Sequence, residues 1–262
     1  MIIGVPTEVK NNENRVGLTP LSVKQIVDSG HDVLIQKNAG ANIGFFDNQY
    51  QSAGAKLIDS AEEVYKSSEM VVKVKEPTPD EYKFLRSDLT LFTYLHLAGD
   101  PENAKKLIDT GVTGIAYETV TSSDGSMPLL APMSTIAGQL AFVVGSYHLL
   151  KHNKGKGVMI GQMDDMDPRV VTVIGAGVAG TQSILKAIDN KALVKVVDSS
   201  QTKLDDLKSK YGSNNIEYIL STKDSIQVSI NESDLVIGSV YVVGKEAPKV
   251  ITREMLSSMN PG

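Results

Sequence analysis

The protein is a chain of 262 residues with a formal net charge of −5 and no cysteine. Its charges are mixed along the chain without a Lys/Arg run, which argues against nucleic-acid binding, and the lack of cysteine excludes disulfides, thiolate nucleophiles and cysteine zinc sites. The N-terminus lacks a signal-peptide pattern and the apolar runs are too short to cross a bilayer, so we expect a soluble cytoplasmic protein.

Short apolar runs alternate with helical segments in the first half of the chain. Strands are predicted at Ile2–Val5, Val33–Ile35, Met70–Val74, Leu89–Leu95 and Ile115–Tyr117. Helices are predicted after the N-cap patterns Thr19-Pro20, Ser60 with Glu63, Thr78-Pro79 with Glu81, and Asp100-Pro101, with Gly30 and Gly111 ending the first and the last. This alternation predicts an α/β fold with a mostly parallel sheet.

The second half repeats the alternation after a break. Turn-forming residues at Thr121–Ser126 precede a long helix, which Ser134 is predicted to cap and which extends to about Lys151 as a bridge between two domains. A charged, glycine-rich loop with an acidic part at Gly161–Pro168 follows, and a new β-α series begins at Val170. We therefore predict two α/β domains, residues 1–128 and residues 129–262.

A glycine-rich motif directly follows the first strand of the second series. After the β-branched run Val170–Ile174 comes Gly175-Ala176-Gly177-Val178-Ala179-Gly180, ahead of a helix predicted from Thr181 to about Ile188. In such a motif the glycines permit a tight turn, the approach of a pyrophosphate and close helix packing, while the helix N-terminus offers N–H groups to phosphates. The motif alone also fits a plain tight turn, but strand, helix and a downstream acid together indicate a Rossmann-type dinucleotide domain.

The downstream acid is Asp198, at the end of the predicted strand Val194–Val197. A carboxylate there accepts hydrogen bonds from the adenine ribose and repels a 2′-phosphate, and Lys203 is the first cation after it, so NAD is favoured over NADP. A later strand, Asp234–Gly238, is predicted to end near the nicotinamide ribose, although Gly238 also fits an ordinary turn.

Three side chains of the first half are candidates for substrate chemistry. Arg15 precedes a helix cap, where its guanidinium can clamp a carboxylate, although a surface arginine is the alternative. Lys75 and His96 each end a predicted strand, and ligand sites of α/β folds lie beyond such ends. An imidazole there can act as acid or base, although a core histidine is the alternative. The remaining histidines carry no such signal.

Four segments resemble bacterial alanine dehydrogenases in order and spacing. They are Glu8–Pro20 with Arg15, Val74–Pro77 with Lys75, Phe92–Ala98 with His96, and Leu130–Gly138. The resemblance spans essentially the whole chain. The family is homologous to the NAD-binding component of proton-translocating transhydrogenase, and the Tyr94-Leu95-His96 motif favours alanine dehydrogenase.

The resemblance implies NAD-dependent, reversible oxidative deamination of L-alanine to pyruvate and ammonium by a homohexamer. It implies that Arg15 and Lys75 bind the substrate carboxylate and carbonyl, and that His96 is the acid/base for the carbinolamine and imine steps. The implied cofactor-binding residues are Met133, Ser134, Gly175, Gly177, Val178, Ala179, Gly180, Asp198, Lys203, Ser221, Gly238, Ser239 and Val240. Two cations and an imidazole suit an amino acid or 2-oxo acid, with Lys75 polarising the carbonyl. No metal site is expected.

The chain ends at Gly262, whereas the family continues through another strand, an aspartate that works with the histidine, and a helix that returns to the substrate domain. We therefore expect a C-terminally truncated NAD domain with an unpaired sheet edge, and a chain that binds NAD better than it turns over alanine. The alternative is a catalytically impaired NAD-binding remnant, or a transhydrogenase-like cofactor-binding module. Formation of NADH from alanine separates these hypotheses.

Overall fold

A computed structural model describes residues 1–161, 166–242 and 247–262 of the chain. These residues form two compact units, Met1–Leu130 and Ala131–Gly262. The unit boundary lies two residues beyond the predicted domain boundary. Residues 162–165 of the predicted acidic loop lie outside the described residues. Among the helices that are described, none combines the length and the apolar character needed to span a membrane.

The first unit is built on a six-stranded parallel sheet with the order β3-β2-β1-β4-β5-β6. Its strands are β1 (Ile2–Val5), β2 (Asp32–Gln36), β3 (Lys56–Ile58), β4 (Met70–Val72), β5 (Thr90–Thr93) and β6 (Thr113–Ala116). Its α-helices are α1 (Pro20–Asp28), α2 (Asp47–Ser52), α3 (Ala61–Ser67) and α4 (Pro101–Asp109). The parallel sheet predicted for this half is confirmed.

The helix starts of this unit follow from local capping chemistry. The hydroxyl of Thr19 accepts the N–H of Ser22, and the carboxylate of Asp100 accepts the N–H of Asn103. A proline directly after each cap supplies the helical φ without losing a needed N–H group. Gly30 follows α1 with a φ of +86°, a conformation that glycine adopts without strain.

The α-helix predicted after Thr78 is wrong. Among the described residues between β4 and β5, the helical segment is a single 3₁₀ turn at Tyr82–Phe84. One oxygen of Glu81 accepts hydrogen bonds from the backbone N–H and the hydroxyl of Thr78, as the capping pattern requires. The other oxygen is bonded to the buried ammonium of Lys73. This tertiary contact buries Glu81 and overrides the local helical pattern.

Two strands also stop earlier than predicted, β4 at Val72 and β5 at Thr93. The N–H of Val74, two residues beyond β4, donates to the carboxylate of Glu8. Beyond β5, the N–H groups of Leu95 and His96 likewise donate to a carboxylate. Side-chain acceptors therefore replace strand partners at Val74, Leu95 and His96, while the N–H of Tyr94 still donates to the carbonyl of Val74.

The second unit has a four-stranded parallel sheet with the order β10-β7-β8-β9. Its strands are β7 (Val170–Ile174), β8 (Leu193–Asp198), β9 (Ile216–Leu220) and β10 (Leu235–Gly238). Its α-helices are α5 (Ala131–His148), α6 (Val178–Asp189), α7 (Gln201–Tyr211), α8 (Lys223–Asn231) and α9 (Arg253–Ser257). β7 and β8 are buried along most of their length, as the β-branched runs predict.

Two predicted helix starts in this unit are wrong. α5 begins at Ala131, so Ser134 lies within the first turn instead of capping the helix, and α5 ends at His148. Pro132 is compatible with this earlier start, because the first turn needs no N–H donors. α6 begins at Val178 instead of Thr181, which makes Gly177 its N-cap and places Gly180 inside its first turn.

Candidate functional site

The strand order of the first unit reverses between β1 and β4. The chain leaves β1 towards β2 on one side and leaves β4 towards β5 on the other. Such a switch point leaves a crevice beyond the carboxyl ends of the two strands, where ligands of open α/β sheets bind. Arg15 lies on the segment after β1 and Lys75 on the segment after β4, so the fold brings both predicted cations to this edge.

The loop that carries Arg15 is packed against the end of β4. A β-carbon at Gly17 would lie 2.6 Å from the carbonyl oxygen of Val72, so only glycine allows this approach. The guanidinium of Arg15 donates from Nε to Oε1 of Glu13 over 2.8 Å and from Nη2 to Oε2 over 2.5 Å. These two parallel bonds fix the plane of the guanidinium.

Glu13 therefore belongs to the site, although the sequence analysis gave it no role. Hydrogen bonding from Arg15 holds the pKa of Glu13 below its usual range, and the positive charge of Lys75 lowers it further. The same contact with Glu13 raises the pKa of Arg15. Arg15, Glu13 and Lys75 thus share one electrostatic neighbourhood. The available signal was an acid two residues before the arginine.

Lys73 and Lys75 lie two residues apart but in different environments. Lys73 is 1% exposed, with its Nζ 2.5 Å from Oε1 of Glu81 and 3.5 Å from Oε2 of Glu8. Lys75 is only partly buried, and no carboxylate of the described residues lies within ion-pairing distance of its Nζ. Lys73 is therefore a structural cation, while Lys75 remains available to a ligand.

The buried cluster around Lys73 comprises Glu8, Lys73, Glu81 and Tyr65, whose hydroxyl donates to Glu81 over 3.0 Å. Burial raises the pKa of Glu8, and the charge of Lys73 partly opposes this shift. Oε1 of Glu8 accepts the N–H of Val74 over 2.6 Å, which ties the segment after β1 to the segment that presents Lys75. The sequence analysis missed this cluster, although a lysine inside a β-branched run was a visible signal.

His96 follows β5, the sheet neighbour of β4, and its side chain is exposed. The segments after the two strands stay bonded, since the N–H of Tyr94 donates to the carbonyl of Val74 and the hydroxyl of Thr93 to that of Lys75. His96 has the left-handed backbone conformation, with φ 53° and ψ 33°. It is thus placed at the same sheet edge as Lys75 and is not a core histidine.

Tyr94 is a further member of this edge that the sequence analysis quoted without a role. Its ring packs edge-on against Tyr117, with centroids 4.9 Å apart, and its hydroxyl donates to the carbonyl of Leu129. Burial raises the pKa of Tyr94, while the charge of Arg15 opposes and that of Glu118 reinforces the shift. Tyr94 therefore lies within electrostatic reach of both charged side chains.

The second unit has its own switch point, between β7 and β10, and the glycine motif lies there. Gly175 has a φ of +100°, and a β-carbon on it would lie 2.9 Å from the backbone of Ser239. A β-carbon on Gly180 would lie 1.7 Å from the carbonyl oxygen of Gly175. These two glycines are thus required by the turn and by close helix packing, as predicted.

Gly177 has a different environment, because a β-carbon there would meet no atom of the described residues within 4 Å. It is the N-cap of the 12-residue helix α6, and glycine has no side chain that could accept the N–H groups of the first turn. Val178, Ala179 and Gly180 form the first turn, whose N–H groups lack partners within the helix. The open space beside Gly177 and these N–H groups fit a pyrophosphate.

Asp198 ends β8 and is 8% exposed. Its Oδ2 accepts the N–H of Ala176 over 2.7 Å, and its Oδ1 accepts the N–H of Ser200 over 2.8 Å. The carboxylate therefore fastens the glycine motif to the end of β8. Each oxygen retains a lone pair that can accept a ribose hydroxyl.

The other predicted cofactor residues lie at the ends of β10 and β9, on α7 and on α5. Ser239 follows Gly238 at the end of β10 and donates its hydroxyl to the carbonyl of Gly175 over 2.7 Å, with Val240 next in the chain. Ser221 donates its N–H to the carbonyl of Asp198, and Lys203 lies in the first turn of α7. Met133 and Ser134 lie in the first turn of α5, just before Gly138, which packs against the carbonyl of Ala179.

Comparison with known proteins gives matches along the chain. Residues 4–137 match the family model described as "Alanine dehydrogenase/PNT, N-terminal domain", and residues 141–262 match "Alanine dehydrogenase/PNT, C-terminal domain". The chain is 45% identical to an alanine dehydrogenase of Bacillus subtilis over 262 residues, which are 100% of this chain and 68% of that protein.

Two solved structures are similar in fold and sequence. An L-alanine dehydrogenase superposes with a TM-score of 0.89 at 42% identity, covering 99% of this chain and 72% of that one. A transhydrogenase from Sinorhizobium meliloti superposes with a TM-score of 0.81 at 26% identity, covering 100% of this chain and 76% of that one. The similarity to the dehydrogenase is therefore the stronger of these two.

Proposed function

Because the chain belongs to the alanine dehydrogenase/PNT family, we propose that it is an NAD-dependent oxidoreductase that reversibly converts L-alanine to pyruvate and ammonium. The observation that carries this proposal is the placement of Arg15 and Lys75 on the two segments that leave the switch point between β1 and β4. A transhydrogenase-like module without amino-acid chemistry is less favoured, since the identity to the transhydrogenase is 26% against 42% to the dehydrogenase.

The first unit supplies the substrate-binding groups in this proposal. Arg15 pairs with the substrate carboxylate, and its guanidinium plane is already oriented by Glu13. Lys75 donates to the carbonyl oxygen of pyruvate and stabilises negative charge that develops on that oxygen. Its partial burial and its lack of a carboxylate partner among the described residues support this role.

His96 is the proposed acid/base. When water adds to the carbon of the protonated imine formed from alanine, the imidazole accepts a proton from that water, and the product is a carbinolamine. The imidazolium then gives this proton to the amino group. As the C–N bond breaks and ammonia leaves, the imidazole accepts the proton of the carbinolamine hydroxyl and the carbonyl of pyruvate forms. The exposure of His96 at the edge next to Lys75 supports this assignment.

The second unit supplies the cofactor site in this proposal. The pyrophosphate of NAD is bound by the N–H groups of the first turn of α6, beside Gly177, and the adenine ribose is bound by Asp198. Bound NAD provides the acceptor for the hydride that leaves the α-carbon of alanine. A carboxylate at position 198 disfavours the 2′-phosphate of NADP through charge repulsion.

Changing Asp198 to alanine is expected to weaken NADH binding by about tenfold or more, because hydrogen bonds to charged groups contribute about 1.5–3 kcal/mol. Part of the lost affinity will come from a displaced glycine motif, since Asp198 also accepts the N–H of Ala176. The difference between the affinities for NADH and NADPH should become smaller. Isothermal titration with both cofactors measures the effect, and Asp206→Ala, which removes an exposed acid of α7, is the control. Equal affinity of the unmodified protein for the two cofactors would contradict the assignment.

The decisive test of the function is alanine-dependent formation of NADH by the purified protein, together with the reverse reaction of pyruvate, ammonium and NADH. Turnover in both directions supports the proposed function. Binding of NADH without any alanine-dependent reduction would instead support a cofactor-binding module. Titration of NADH is therefore run on the same sample.

We also propose that the protein is a cytoplasmic homohexamer, since NAD is an intracellular cofactor and the family resemblance implies this assembly. Helix α5 supports self-association, because it carries an apolar stripe at intervals of three and four residues whose side chains are each at least half exposed. The stripe consists of Ile136, Leu140, Val143, Val144 and Tyr147. Light scattering should give six times the chain mass, and a monomer at micromolar concentration would contradict the proposal.

A further inference from the structure

We propose that Glu118 is a positioning residue for His96, an inference that rests on the proposed function. Glu118 lies in the 3₁₀ turn Tyr117–Thr119, which directly follows β6, the sheet neighbour of β5. Its Oε1 accepts the N–H of His96 over 2.6 Å, and its Oε2 accepts the N–H of Leu95 over 3.3 Å. One carboxylate thus binds two consecutive N–H groups at the point where the chain leaves β5.

The backbone conformation of His96 explains why such a contact is needed. With φ 53° and ψ 33°, the residue occupies the left-handed region, which costs a non-glycine residue about 1–2 kcal/mol. Consecutive N–H groups around a left-handed residue form a concavity that binds an anion. The carboxylate of Glu118 is that anion here, and it stabilises a conformation that an exposed chain segment would otherwise leave.

The imidazole itself rests on Gly99. A β-carbon at Gly99 would lie 2.8 Å from both Cδ2 and Nε2 of His96, so the ring lies against the α-carbon of this glycine. The N–H of Gly99 donates to the carbonyl of His96 over 3.1 Å, which closes the turn under the ring. Glu118 sets the backbone of His96, and Gly99 provides the surface on which its ring lies.

In this proposal Glu118 acts through the backbone, because its oxygens accept the N–H groups of Leu95 and His96. The expected consequence of removing it is a misplaced imidazole, and a displacement of about 1 Å can lower a rate by about a hundredfold. Binding of NADH involves the other unit and should not change.

Glu118→Ala is expected to lower kcat by about 10- to 100-fold while the KM for pyruvate and the Kd for NADH stay within about twofold. Glu118→Gln keeps one acceptor oxygen and should lose less activity; it also serves if the alanine variant fails to fold. Glu102→Ala, which removes an exposed acid of α4, should match the unmodified protein. Retention of full kcat by Glu118→Ala would overturn the proposal.

Two further measurements separate positioning from a general structural effect. In a His96→Asn background, Glu118→Ala should lower kcat no further, because residues that act as a unit are non-additive. An equal additional loss in that background would overturn the proposal. Amide hydrogen exchange at Leu95 and His96, measured without substrate, should accelerate at least tenfold in Glu118→Ala. Because exchange needs no turnover, unchanged rates refute the positioning role even if alanine proves not to be the substrate.

Discussion

Lys73→Met is expected to destabilise the protein by about 3–5 kcal/mol near neutral pH, because it leaves buried carboxylates without their cation. Lys73 is 1% exposed, and its ammonium lies between Glu8 and Glu81. Methionine replaces the aliphatic stem but not the charge. The Tyr65 hydroxyl cannot compensate, since burial holds its pKa far above the usual range and it stays neutral.

The loss of stability in Lys73→Met should depend on pH in a defined direction. Burial raises the pKa of Glu8 in the folded protein above the unfolded value of 4.5. The stability that Glu8 contributes is therefore fully present below pH 4.5 and is lost as the pH rises through the folded pKa. Lys73 opposes this shift, and its removal raises the pKa of Glu8 further. The variant should therefore lose more stability at pH 8 than at pH 5.

Chemical denaturation at these two pH values measures the effect. Lys75→Met is the matched control, because Lys75 is two residues away, partly exposed and has no carboxylate partner among the described residues. It should keep the stability of the unmodified protein but lose activity. A Lys73→Met protein that is as stable as the unmodified one at pH 8 would show that the buried charges are not coupled in this way.

His96→Asn is expected to lower kcat by about a hundred- to ten-thousand-fold, the usual effect of removing a positioned acid or base. Asparagine is chosen because it tolerates the left-handed backbone of position 96 better than alanine does. The variant therefore removes the imidazole with little change in the local chain. NADH affinity should stay unchanged.

Steady-state kinetics in both directions, together with NADH titration, measure this effect. His31→Asn, which changes an exposed histidine of the same unit, is the control and should retain full activity. A His96→Asn variant with more than a tenth of the original kcat would remove His96 from the proposed mechanism. The acid/base would then have to be sought among the other groups at this edge.

The sequence predicts the elements whose causes are local. Thr19 and Asp100 each cap a helix with a side chain that reaches only three residues along the chain, so short windows reveal both. The glycine motif is equally local, and its glycines occupy the environments that the motif predicts. The edge position of Lys75 and His96 followed from their places after strands, whereas Arg15 was singled out by its place before a helix cap. The chemical roles of all three residues stay predictions.

The features that sequence analysis missed depend on contacts between distant residues. Glu8 accepts the N–H of Val74, which lies 66 positions away and just beyond β4. Glu118 accepts the N–H of His96, which lies 22 positions away and just beyond β5. Glu81 matched a helix pattern, but the buried charge of Lys73 gave it another partner. A local pattern contains no information about such partners, because the fold alone brings them together.

The reversal of strand order has a consequence for the way the first unit holds together. Apart from β1 and β4, each pair of sheet neighbours is consecutive along the chain, so the sheet consists of two halves, β1 to β3 and β4 to β6. The halves are joined by the pairing of β1 with β4, whose register is defined by only two residue pairs, Ile3 with Met70 and Gly4 with Val71. Forming this pairing closes a long loop of the chain. Arg15 extends from one half and Lys75 from the other. A bound oxo acid would therefore act as a non-covalent cross-link, and its binding energy would oppose local separation of the halves.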